Sequence, residues 1–88
     1  MDKKKITVKT FLFQENGTVD KERFAFIQFR NQGETPATVQ GNILLQPGES
    51  VQIPYIEPYV VFDQTFIVRF VSQSGKRNEV CVIAGVLI

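Results

Sequence analysis

Apolar and polar residues alternate with a period of two along much of this chain. In residues 60–71 the even positions Val60, Phe62, Phe66, Val68 and Phe70 are apolar, and their odd neighbours include Asp63, Thr65 and Arg69. Side chains of a strand point alternately to opposite faces, so this pattern predicts a long strand with one face buried. A polar loop follows, Ser72-Gln73-Ser74-Gly75-Lys76-Arg77-Asn78, in which Gly75 is free to take a positive φ. The chain then returns as the apolar segment 80–88, and residues 60–88 read together as a long β-hairpin.

Upstream, residues 6–13 and 23–30 are strand-like and flank Gln14-Glu15-Asn16-Gly17-Thr18. Asn-Gly is a strong turn signal because both residues tolerate positive φ, and the spacer running on to Lys21 predicts a projecting tip. Asn31-Gln32-Gly33-Glu34-Thr35-Pro36 reads as a second polar turn. Short strands follow at 37–40, 43–46 and 50–54, divided by Gly41-Asn42 and Pro47-Gly48. Pro47-Gly48 suits the two central positions of a type II turn. Pro54 and Pro58 bracket Tyr55-Ile56-Glu57, which argues for a crossing loop or an edge segment.

No window carries apolar residues at i, i+3, i+4 and i+7 over three turns, so no long helix is expected. Seven strand segments with regular turns predict an all-β fold, a small antiparallel β-sandwich of the Ig-like or jelly-roll-like kind. The whole chain, 1–88, forms one domain, with residues 1–5 as a flexible basic arm.

Size sharpens this picture. A chain of 88 residues buries only about 60–65% of its unfolded surface, so its core is small. The single cysteine, Cys81, allows no internal disulfide, and there is no histidine to bind a metal. Oligomerisation is the remaining source of extra stability. Ten basic against nine acidic residues leave a net charge of +1, so neither nucleic acid nor an anionic membrane is expected as the main partner. The charge is uneven: Lys3, Lys4, Lys5 and Lys9 against Asp2 give the first nine residues +3. That start is either a solvated arm or an anchor on an acidic surface. It lacks the form of a signal peptide, and no apolar run approaches the ~20 residues that span a bilayer. Synthesis in the cytoplasm is expected.

The inventory excludes most catalysis. Without histidine, neither Ser-His-Asp nor Cys-His arrangements can be built. Asp63, Glu57 and Glu79 show no ligand spacing, and the glycines form no phosphate-binding pattern. Cys81, within Val80-Cys81-Val82-Ile83, reads as a buried, inert thiol. No catalytic residue, metal or cofactor is expected.

Phe24-Ala25-Phe26-Ile27-Gln28-Phe29 is similar to the core of the ribonucleoprotein octapeptide of RNA-recognition and cold-shock domains. Alternate aromatics of that motif stack on bases. The resemblance implies an OB-like single-strand binder using Phe24, Phe26, Phe66 and Phe70. However, Glu22 and Arg23 replace the motif's leading basic residue and glycine, and the two helices of an RNA-recognition domain are missing. The competing reading puts Phe24 and Phe26 in the sandwich core.

Segment 80–88 carries no charge, is apolar on both faces and continues to Ile88. A strand with two apolar faces is normally covered on both. It is therefore either a central strand capped by loops such as 55–59, or a strand covered by another subunit. The second reading makes Val82, Ala84, Val86, Leu87 and Ile88 interface residues.

The segments Phe29-Arg30-Asn31-Gln32-Gly33, Ala37-Thr38-Val39-Gln40-Gly41, Leu45-Gln46-Pro47-Gly48-Glu49-Ser50 and Val51-Gln52-Ile53 resemble small β-sandwich virion proteins of tailed phages. These include capsid decoration, head-fibre and tail-associated proteins. The resemblance implies a homo-oligomeric structural protein whose partners are itself and other virion proteins. Lys3, Lys4 and Lys5 would then anchor on an acidic surface, and Tyr55 and Tyr59 would be contact aromatics. A carbohydrate or cell-surface binding module using the tyrosines is a further alternative.

Overall fold

The computed structural model describes residues 5–53 and 64–88. They form eight strands: β1 (Ile6–Phe13), β2 (Gly17–Val19), β3 (Phe24–Asn31), β4 (Ala37–Val39), β5 (Ile43–Leu45), β6 (Ser50–Ile53), β7 (Phe66–Phe70) and β8 (Val80–Leu87). Two four-stranded antiparallel sheets pack as a sandwich, with strand orders β1-β8-β3-β6 and β2-β7-β4-β5. That order is two interlocked Greek keys, the jelly-roll topology.

Two local expectations fail for the same reason. β7 and β8 do not form a hairpin: β7 lies between β2 and β4, and β8 lies between β1 and β3 in the other sheet. Nor is Asn16-Gly17 a hairpin tip, because Gly17 opens the eighth strand, β2, and pairs with Val68. Its lack of a side chain serves packing, since a Cβ there would sit 2.6 Å from the Phe13 ring. In both places an apolar stripe shows that a strand buries one face. It does not show whether the next strand lies beside it or across the core.

The turns formed where a backbone requirement was visible. Gly48 has φ 90°, and the Glu49 N–H donates to Gln46 O at 2.9 Å, which completes the type II turn around Pro47-Gly48. Gly75 has φ 76°. Gln40 takes the left-handed conformation at φ 58° without being glycine. Its side-chain amide accepts from Ile67 N–H at 2.7 Å and donates to Thr65 O at 3.1 Å, continuing the ladder to β7 past the end of β4.

The core lies between the sheets. Phe66 and Val68 of the second sheet meet Phe24, Ile27, Phe29, Val82 and Ala84 of the first, and the Phe66 ring packs against Phe24 and Phe29 at centroid distances of 5.6 and 5.4 Å. Of the alternation read in residues 60–71, β7 realises 66–70, with Phe66, Val68 and Phe70 buried and Ile67 and Arg69 exposed; residues 64 and 65 precede the strand, and 60–63 lie outside the described residues. A bulge between Phe24 and Phe26 reverses the parity of β3. Phe24 therefore points into the core, as do Ile27 and Phe29 beyond the bulge, while Phe26 falls on the outside.

Asn31, expected in a polar turn, is fully buried at the end of β3. Its amide donates to Thr35 O at 2.8 Å and Leu45 O at 2.9 Å, and its Oδ1 accepts from Gly33 N–H at 3.0 Å. A bond to Leu45 O joins the first sheet to the second. Replacing Asn31 by Ala strips two buried carbonyls of their donor, at about 1–3 kcal/mol each. Asn31→Ala is expected to lower the unfolding free energy by about 3 kcal/mol in urea titration and the melting temperature by roughly 10–20 °C.

Candidate assembly surface

Residues directly opposite in a sheet share a face, so the register defines the outer surface of the first sheet. One row holds Val8, Gly85 and Phe26; the next holds Thr10, Ile83, Gln28 and Gln52; the third holds Leu12, Cys81, Arg30 and Ser50. Ile6 and Leu87 continue it beyond Val8. Ile6, Val8, Leu12 and Ile83 are 46%, 60%, 58% and 37% exposed. Together they make an apolar strip about 20 Å long and about 10 Å wide across β1, β8 and β3. Threonine and glutamine break it, but no charged side chain stands on the β1 or β8 part of this face. The outer face of the second sheet is more mixed: Ile67 and Leu44 are interleaved with Thr18, Thr38 and Arg69.

Phe26 and Gly85 complete the surface from within. They are cross-strand partners, and a Cβ on Gly85 would sit 2.2 Å from the Phe26 ring. The ring lies on the glycine backbone, and this aromatic cover replaces the packing that a side chain at 85 would supply.

The residues singled out on the C-terminal segment are placed differently from expectation. Val82, Ala84 and Val86 face the inter-sheet core, and Leu87 is only 8% exposed. β8 has both backbone edges paired, to β1 and to β3. These four side chains are thus sheltered inside one copy and offer no surface to a second; Ile88 alone of the five is open, at 77%. The uncovered apolar face exists, but Ile83 and the β1 residues Ile6, Val8 and Leu12 carry it. Sequence reading missed the three β1 residues because Thr10 interrupts their row and Phe11 and Phe13 put apolar residues on the opposite face as well, so no single stripe stands out. Cys81 is half-buried on this same outer face, not in the core, because odd positions of β8 point outward. Lys5 is exposed, while Lys3, Lys4, Tyr55 and Tyr59 lie outside the described residues.

The base-stacking platform is not assembled. Phe24, Phe66 and Phe70 are buried in the core, which leaves Phe26 as the one ring of that set on a surface. Between the edges of the two sheets, an open cleft of about 420 Å³ is lined by Lys9, Phe11, Thr18, Asp20, Lys21 and Glu22, with Lys9 and Glu22 paired to each other. Among the described residues, no three His, Cys, Asp or Glu side chains gather, and no helix is long and apolar enough to cross a membrane. No protein family matches the sequence, and no curated protein is significantly similar to it.

The Phe26–Gly85 contact has a checkable consequence. Gly85→Ala is expected to destabilise the fold by about 1–2 kcal/mol, because the ring must leave its seat. In a Phe26→Ala background the same change should be neutral or stabilising, since alanine is the better strand residue. Denaturant titration of the four proteins measures this coupling.

Proposed function

We propose that this protein is a non-enzymatic assembly protein: a structural component of a phage virion, of the capsid decoration, head-fibre or tail-associated type. It is made in the host cytoplasm and packs against copies of itself and against other virion proteins. The observation that carries the reading is the exposed apolar strip of Ile6, Val8, Leu12 and Ile83. An exposed strip of this kind marks an interaction site or an aggregation hazard, and a partner resolves the hazard.

Two further points support it. The jelly-roll order is shared with viral capsid domains, although that is an analogy of fold and the topology also serves lectins and cupins. The Leu45-Gln46-Pro47-Gly48-Glu49-Ser50 corner, part of the likeness to phage proteins, is a formed turn that leads β5 into β6. The burial of Phe24, Phe66 and Phe70 weighs against the single-strand-binding alternative.

The test is self-association followed by multi-angle light scattering across a concentration series. The wild-type chain should gain mass with concentration, and Ile83→Glu, which puts a charge in the strip, should weaken association at least ~10-fold. Its melting temperature should move by only a few degrees, about the change expected of a surface substitution. A monodisperse monomer at all concentrations, indifferent to the substitution, would sink the reading.

A further inference from the structure

The four sheet edges are unequal. β2 and β5 have three residues each and β6 has four, whereas β1 has eight and pairs with β8 in unbroken register. Short edge strands discourage unwanted pairing, as do prolines, bulges and free charges. β1 has no proline and no bulge, and its one charge, Lys9, is paired with Glu22. Among the described residues nothing pairs with its far side.

The hydrogen-bond alternation shows which groups that far side presents. Ile88 N–H donates to Lys5 O at 3.1 Å, so odd residues of β1 face β8. Leu87 N–H donates to Arg23 O at 2.9 Å, the complementary half of the pattern. The backbone groups of Ile6, Val8, Thr10 and Leu12 therefore point at the open edge. Three of these are the exposed apolar residues of the outer strip. One side of one strand thus offers free hydrogen-bonding groups and apolar side chains together.

We infer that β1 pairs antiparallel with β1 of a second copy about a two-fold axis at Thr10, fusing the two first sheets into one eight-stranded sheet. This deepens the assembly reading and rests on it. The strand complements itself. With Thr10 opposite Thr10, Val8 of each copy meets Leu12 of the other, and Lys9 lies opposite Phe11. Moving the axis to Lys9 would oppose two like charges, which is destabilising. An isologous pair of this kind needs no other chain. Pairing three rows buries roughly 500 Å² per copy, below the ~800 Å² of a standard interface, so the dimer is weak, with a Kd in the micromolar range.

Sedimentation equilibrium and residue-resolved amide exchange test this on the full chain. In the wild type, the amides of Val8, Thr10 and Leu12 should gain protection as concentration rises, while those of Lys9 and Phe11 stay protected throughout. Thr10→Pro removes an edge-facing N–H and no bond to β8, so the fold should survive and the dimer Kd should rise at least ~10-fold. If proline unfolds the chain, Thr10→Lys sets two like charges directly opposite each other at the two-fold axis and leaves every backbone group in place. Association that persists unchanged in a folded edge variant, with no concentration-dependent protection at Val8 and Thr10, overturns β1 pairing and leaves the assembly reading standing. A wild-type chain that stays monomeric to about 1 mM overturns both, since a Kd that weak lies beyond the micromolar range.

Discussion

The buried side-chain amide of Asn31 ties the two sheets at a corner where three connections between them meet, residues 32–36, 46–49 and 71–79. Its donors hold Thr35 O and Leu45 O, and its acceptor holds Gly33 N–H. The last of these packs on the first: Gln32 N–H and Glu34 N–H donate to Glu79 O and Arg77 O at 2.9 and 2.7 Å, and Thr35 bonds the Asn78 side chain. Gly33 lies so close to this last connection that a Cβ would fall 2.5 Å from Glu79 N. Buried polar groups are tolerable only when satisfied, and here every buried side-chain nitrogen and oxygen among the described residues finds a partner.

This corner matters because little else holds neighbouring segments together locally. Of the six strand pairings among the described residues, only β4 with β5 joins consecutive strands. The rest close long loops, and their entropy must be recovered from contacts formed across the core. With no disulfide available, the Phe24, Phe29 and Phe66 cluster and the Asn31 corner carry that task.

The same topology explains where apolar surface is left over. A sandwich this small has two layers, and each sheet can hide one face. The first sheet fills its inner face with Val80, Val82, Ala84 and Val86, and its outer face still carries Ile83, Val8, Ile6 and Leu12. A third layer would cover them. Within one described copy there is none, which is why the functional reading turns on association.

The sequence by itself determined the fold class, six of the eight strands to within a residue or so, and the turns at Pro47-Gly48 and Gly75, whereas the three residues of β2 are too short to show a period. Period-two alternation and positive-φ glycines are local signals, legible wherever a strand or turn forms. It left open whether a greasy face would remain, since the uncharged segment 80–88 could be capped by loops or covered by another subunit. The tertiary structure alone decided which strands pair and which stack, since an inward stripe looks the same in both cases. It decided that Asn31 is a buried tie, because a side chain that bonds distant carbonyls has the same composition as one in solvent. And it moved the exposed face from Val82, Ala84, Val86 and Leu87 to Ile83 and β1. Strand order put β8 in the middle of its sheet and β1 at the edge, and only the edge leaves backbone groups free.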